Sequence, residues 1–169
     1  MNDSDLERYV KLYRRSVFAA ALCLTRNEYD ADDITQETFF RLYRYGLTFE
    51  DDEHAKAWLI RCAINRSKTL LGSRWRRSFQ PLETAAELTH TDSRSEEDTV
   101  LRLLGKLNKN NRIALHLYYF EGFTTEEIAD MLSISTGAVI SRLSRGRRQL
   151  KKLITDERNE DNEIQSSVR

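Results

Sequence analysis

Proline occurs once, at Pro81, and glycine six times, in 169 residues. With so few breakers among many Leu, Arg and Glu residues, the composition points to an all-α protein. Cysteine is nearly absent too. Cys23 and Cys62 lie among apolar neighbours with no CxxC partner, which excludes a disulfide framework and reads as buried thiols in a reducing cytoplasm. His54, His90 and His116 are scattered without ligand spacing, so neither a metal site nor a cofactor is expected. No apolar run approaches the roughly 18 residues that span a bilayer, and no signal-peptide pattern opens the chain. A cytoplasmic protein without membrane insertion is the expectation. There is also no nucleophile–base pair and no phosphate loop, so an enzyme is not expected.

The formal net charge is zero, but the charges are segregated. Asp30, Asp32, Asp33, Glu37, Glu50, Asp51, Asp52 and Glu53 make one stretch acidic. From His54 to Leu82 there is no acid, and Lys56, Arg61, Arg66, Lys68, Arg74, Arg76 and Arg77 follow one another. Acids return from Glu83 to Asp98 and disappear again from Met131 to Thr155. Two separated basic blocks suggest two polyanion-binding surfaces, with acidic surfaces left for another partner.

Apolar residues recur at three and four from Leu6 to Leu24, which predicts a long helix from about Ser4 to Arg26. A second helix is expected after Asn27-Glu28-Tyr29, with Asp30 as its N-cap, running to Gly46. The third starts near His54, buries Trp58, Leu59, Cys62 and Ala63, and ends near Gly72. Four more follow over Thr99–Leu107, Arg112–Glu121, Thr124–Leu132 and Thr136 to about Asp156. The fold expected is thus two small helical bundles, residues 1–78 and 98–156. A flexible linker (79–97), low in apolar content, joins them, and a frayed acidic tail (157–169) follows. Such a linker should leave the bundles loosely coupled in orientation.

The most specific pattern lies between Gly122 and Leu143. Thr124 and Glu127 have capping-box spacing, and Ile128, Ala129 and Leu132 give one apolar face. Ser133-Ile134-Ser135 turns the chain, Ile134 plugs the angle, and Ser135 or Thr136 can cap the next helix. Val139, Leu143, Gly146 and Leu150 fall on the inner side of that helix. Ser141, Arg142, Ser144, Arg145 and Arg148 fall on the other, where hydroxyls and guanidinium forks suit phosphates and guanine edges. Two helices with the second one basic read as a helix-turn-helix, whose second helix enters the major groove. The plainer alternative is a helical hairpin with a solvated basic face.

Asp33, Gln36, Glu37 and Phe40 stand at i, i+3, i+4 and i+7, a stripe the core does not need; taken alone, it reads as a solvated acidic face. The segment from Asp30 to Arg41, DADDITQETFFR, closely resembles the core-polymerase-binding helix of bacterial sigma factors. In particular it resembles the two-domain group called extracytoplasmic-function sigma factors, of the sigma-70 family. Ala57–Asn65 followed by Arg74-Trp75-Arg76-Arg77 is similar to that family's minus-ten-reading helix. Leu107–Arg112 and Tyr119–Thr124 resemble the start of its second domain. Ile128-Ala129, Gly137, Val139 and Ser141–Arg145 resemble its minus-thirty-five reader. Three positions depart from the family pattern: Asn108 stands where proline is common, Thr69 replaces an aspartate and Ile140 replaces an exposed lysine.

The resemblance implies a transcription initiation factor, with a stress or envelope-response regulon. Asp30, Asp33, Gln36, Glu37 and Phe40 would dock on the clamp helices of the largest subunit of core RNA polymerase. The second domain would meet the flap of the second-largest subunit. Lys56, Arg61, Asn65, Arg66, Arg74, Arg76 and Arg77 would serve the minus-ten element. A cationic groove with amide and aromatic groups suits an unpaired strand and a flipped base. Trp58 reads as core, while Trp75 could stack on a base or pack inside. Thr136, Gly137, Ile140, Ser141, Arg142, Ser144, Arg145 and Arg148 would read promoter DNA at minus thirty-five. In place of a phosphate contact, Ile140 could meet a thymine methyl. An anti-sigma factor is the further partner implied. The competing reading is a stand-alone helix-turn-helix regulator with an N-terminal sensor or dimerisation domain, and nothing from Met1 to Ser78 resembles a sensor.

Overall fold

The computed structural model describes residues 3–77 and 102–167, with the side chains of residues 75–77 and 160–167 outside the description. All regular structure among the described residues is helical. The expected linker at 79–97 lies outside them.

Helix α1 spans Asp3–Thr25 and buries Tyr9, Val17, Ala20, Ala21 and Leu24, the stripe its spacing dictates. Helix α2 spans Glu28–Tyr45. Its N-cap is Asn27, not Asp30: the Asn27 carboxamide oxygen accepts from the Asp30 N–H at 3.0 Å. Asp30 sits inside the first turn and uses its carboxylate elsewhere. Gly46 ends α2 in the left-handed region (φ 59°), where its N–H donates to the Tyr43 carbonyl at 3.1 Å. Helix α3 runs from Asp52 to Arg77, five residues beyond the Gly72 expected as its end. A mid-helix glycine costs only about 1 kcal/mol. The three pack around Tyr9, Val17, Ala21, Ile34, Phe39, Leu42, Leu59 and Ala63. Trp58 packs against this cluster, as the sequence suggests, with the Phe49 ring 5.8 Å away.

In the C-terminal half, residues 102–105 are helical and α4 covers Lys109–Leu115. Asn108 caps α4 through the Asn110 N–H at 2.8 Å, so it starts a helix where proline is otherwise common. A single π-helical turn, His116–Phe120, continues α4. Helix α5 is Thr125–Leu132 and α6 is Thr136–Ser167. The tail expected to fray thus continues α6. Its attachment begins at Glu157, which accepts from Arg102 at 2.5 and 2.9 Å and from Lys106 at 3.4 Å. Gly146 of α6 lies flush on α4: a Cβ there would stand 2.8 Å from Leu115 Cδ1 and 3.4 Å from Asn111 Cβ. Gly146→Val should therefore lower stability by about 1–3 kcal/mol through overpacking, read as a lower urea midpoint at constant slope.

The halves are not loosely coupled. Ala20, Leu24, Ile60 and Ile64 of the first bundle belong to the same apolar cluster as Leu104, Leu107, Leu117, Phe123 and Met131 of the second. Apolar side chains left on the outer faces of α1 and α3 are covered by the C-terminal half, and that burial overrides the freedom a polar linker would permit.

Candidate functional site

The stripe on α2 divides in two. Asp33 and Gln36 are exposed, and Phe40 is 61% exposed, a large ring in water with no role in the core. Gln36 reaches back along the helix to Asp32 at 2.7 Å. Glu37 and Asp30 behave otherwise. Glu37 takes Arg66 Nε at 2.5 Å and Arg41 at 2.9 Å, and Asp30 receives a two-pronged contact from Arg74 at 2.5 and 2.7 Å. These carboxylates fasten α2 to α3. The sequence reading that the whole stripe is unneeded internally holds for Asp33, Gln36 and Phe40 but not for Glu37.

Along α3, Asn65 is exposed, with its backbone carbonyl accepting from Thr69 Oγ1 at 3.0 Å. Arg66 and Arg74 are the partners of Glu37 and Asp30 just named. Arg76 and Arg77 stand on the last turn of α3, with side chains outside the description. Lys56 and Arg61 face the other half of the chain. Lys56 Nζ lies 2.8 Å from Glu121 Oε2 and donates to the Glu121 carbonyl at 2.9 Å, and Arg61 pairs with Asp130.

Helices α5 and α6 build the angle that the sequence pattern predicts. The capping box is complete: Glu127 N–H donates to Thr124 Oγ1 at 3.2 Å, and Thr124 N–H donates to Glu127 Oε2 at 2.8 Å. Ser133 turns in the left-handed region (φ 57°), with its N–H on the Asp130 carbonyl and that of Ile134 on Ala129. Ser135 caps α6 through the Ala138 N–H at 3.1 Å. Val139, Leu143 and Gly146 are buried, while Leu150 is half-buried. Gly137, Ile140, Ser141, Ser144, Arg145 and Arg148 are exposed, and Thr136 and Arg142 are half-buried. Burial lowers the Arg142 pKa, and Arg145 adds like-charge repulsion, as a paired cationic surface does.

Residues 9–77 match the family described as Sigma-70 region 2, and residues 97–150 match Sigma-70, region 4. The RNA polymerase sigma-H factor of Pseudomonas aeruginosa is 31% identical over 158 residues, covering 84% of this chain and 82% of that one. The chain belongs to the sigma-70 family. Within it, the chain is an extracytoplasmic-function sigma factor, and its activity is promoter-specific initiation of transcription. The ECF RNA polymerase sigma factor SigE of Mycolicibacterium smegmatis is 30% identical over 155 residues, 86% of this chain and 60% of that one. In fold, this sigma factor is similar to RpoE of Bartonella quintana, solved with the anti-sigma factor NepR. The TM-score is 0.76 at 23% identity, covering 89% of this chain and 97% of that one. Among the described residues, no helix is long and apolar enough to cross a membrane.

Sequence reasoning missed the residues at the seam between the halves. His116 is buried, with Nε2 3.2 Å from Glu121 Oε1. Burial alone would depress its pKa, but the Cys23 thiol and Glu121 carboxylate outweigh it and raise the pKa to about 9. For Glu121, burial pulls upward, yet His116 and Lys56 hold the carboxyl down at about 2. Both groups are charged at neutral pH. Arg112, read only as part of a family segment, is 5% exposed and donates from Nε to the Cys23 carbonyl at 2.7 Å. It also donates from Nη1 to the carbonyls of Gly105 at 3.0 Å and Leu107 at 2.8 Å. The partners that tie them to the first half, Cys23 for Arg112 and Lys56 for Glu121, lie 89 and 65 positions away, so no local pattern marks the seam.

Proposed function

We propose that this sigma factor divides its work among three surfaces. Asp33, Gln36 and Phe40 dock on the largest subunit of core polymerase, with Asp30 and Glu37 shaping that face from behind. The cations of α3 with Asn65 receive the non-template strand at minus ten, and the outer face of α6 reads the duplex at minus thirty-five. The first bundle, the linker and the second bundle are assigned to residues 1–78, 79–97 and 98–156. The protein works in the cytoplasm on a stress or envelope-response regulon, in contact with the polymerase flap and restrained by an anti-sigma factor. Relatives named as ECF RNA polymerase sigma factors, and the structure of RpoE with the anti-sigma factor NepR, support that reading.

The observation that carries the proposal is the α2 face. Phe40 stands exposed beside Asp33 and Gln36, unused by the chain's own core, in a protein that also carries a helix-turn-helix. A stand-alone regulator has no use for such a face. The test is run-off transcription with purified core polymerase. Promoter-dependent transcripts that require the chain are expected, and tight, sequence-selective promoter binding without core would favour the regulator instead.

Ile140 gives the upstream reading a sharper form. It is 54% exposed between Gly137, Ser141 and Ser144, an apolar side chain on a face of hydroxyls and cations. A thymine C5-methyl is the major-groove feature it can recognise. Replacing upstream thymines singly by deoxyuridine should weaken promoter binding of the holoenzyme by about 1 kcal/mol at one position, and Ile140→Ala should abolish that sensitivity. Arg145→Ala should cost about 1–3 kcal/mol if Arg145 contacts a base, and should mainly lower the salt slope if it contacts a phosphate. Uniform tolerance of deoxyuridine would remove the methyl contact.

A further inference from the structure

The acid-free stretch from His54 to Leu82 and the one from Met131 to Thr155 read in sequence as two separate polyanion surfaces. In the fold they meet. Lys68 of α3 reaches across the seam, where its ammonium donates to the carbonyl of Leu132 at 3.0 Å. Leu132 is the last residue of α5, so this cation stands at the turn of the helix-turn-helix, on the negative end of the α5 dipole. Arg142 and Arg145 stand three apart on α6, about one helical turn. Burial and then the nearby Arg142 lower the Lys68 pKa, and burial and then Arg145 lower that of Arg142. The three charges thus form a chain, each felt by the next. Among the described residues no carboxylate pairs with any of them, and Asp130, in the same turn of α5 as Leu132, is taken by Arg61. Lys68 and Arg145 are exposed and Arg142 is half-buried, so an anion in solvent has access to all three.

We propose that Lys68, Arg142 and Arg145 form a phosphate-binding site built jointly by the two halves. Lys68 belongs to neither of the promoter readers assigned above, and α6 alone supplies only two of the three cations. Like charges gathered without a counter-ion repel one another, and an anion seated among them replaces that repulsion by attraction. The donor set selects phosphate. Two guanidinium forks each grip a pair of oxygens and a lysine adds a compact point charge, which suits a group with three anionic oxygens better than a carboxylate with two. Two sources carry this chemistry: the backbone of a DNA duplex, and a free polyphosphate. The duplex source rests on the reading of α6 made above; the free source does not. An anion held here touches both halves, so it also stabilises their packing by mass action.

The full-length chain is titrated with tripolyphosphate by calorimetry at low salt. Lys68→Gln and Arg142→Gln should each weaken binding about tenfold, the loss of one charge-assisted contact. Lys68→Arg, which restores the charge, should stay within about threefold of wild type, and the exposed control Lys151→Gln within about twofold. A fluorescein-labelled duplex is titrated in parallel at several salt concentrations. If the DNA backbone is the natural ligand, tripolyphosphate displaces the duplex, and Lys68→Gln lowers the slope of log affinity against log salt by about 0.9, the share of one phosphate. An unchanged slope beside a lost tripolyphosphate affinity supports the site with a free polyphosphate as its ligand. No binding of tripolyphosphate by wild type, or wild-type affinity in Lys68→Gln, would overturn the site. Equal losses in the Lys151 variant would overturn it too, because they mark diffuse attraction to a basic surface. If Lys68→Gln fails to fold, amine-reactive labelling of wild type, read by mass spectrometry, decides. Tripolyphosphate should slow modification of Lys68 severalfold relative to Lys151, and equal slowing overturns the proposal. Failure of run-off transcription with core polymerase would remove the promoter reading of α6 and leave the tripolyphosphate result to judge the site separately.

Discussion

Asp33→Lys combined with Phe40→Ala should reduce affinity for core RNA polymerase on the order of 100-fold and leave the chain's own unfolding unchanged. Neither side chain supports the fold: Asp33 is exposed, and the Phe40 ring stands in water. Reversing a charge at a desolvated polar contact costs about 2–5 kcal/mol, and removing an aromatic anchor adds the loss of its pocket. Glu37→Lys is a poorer probe, although the sequence singles it out equally. It would break the contacts to Arg66 and Arg41 and set three cations together, so stability and binding would fall as one. Surface-immobilised core titrated with the double variant, alongside a urea melt, separates the two effects. Wild-type affinity in a folded double variant would show that α2 meets core polymerase through some other face.

What the sequence makes legible follows from the range of each interaction. The helix-turn-helix is readable because its determinants are local: Thr124 and Glu127 are three apart, and Ser133, Ile134 and Ser135 are consecutive. The long helices are readable because a stripe at three and four spacing is a property of the segment itself. Helix ends are less so. Asp30 and Asn27 are both good capping residues, and only the bidentate pull of Arg74, 44 positions on, leaves the cap to Asn27. The acidic tail reads as frayed because its anchors, Arg102 and Lys106 on Glu157, lie some 50 positions upstream. The seam is the extreme case. Lys56 and Arg61 look like free cations until Glu121 and Asp130 are folded onto them. A polar linker says that the halves can separate, but not whether their apolar faces will let them.

Arg112→Met should be the most damaging single change to stability, lowering it by about 3–5 kcal/mol, a large share of the 5–15 kcal/mol of a typical domain. The guanidinium is buried with no carboxylate among its hydrogen-bond partners. It is held by three backbone carbonyls: Cys23 near the end of α1, Gly105 at the end of the short helix before α4, and Leu107 beyond it. Burial lowers its pKa, Cys23 acts in the opposite sense, and Arg26 adds like-charge repulsion. Methionine fills the volume and removes the charge but leaves those carbonyls without their donor, and each buried unsatisfied group costs about 1–3 kcal/mol. Lysine should rescue little. Its single ammonium cannot reproduce a fork that reaches Cys23 with Nε and two other carbonyls with Nη1. Urea denaturation followed by circular dichroism measures both variants. Because the bond to Cys23 joins the two halves, the Met variant should also lose the single cooperative transition that a shared core implies, and show the halves melting apart. A loss below about 1 kcal/mol with the transition still single would mean that water replaces the guanidinium at these carbonyls, and that Arg112 does not fasten the halves.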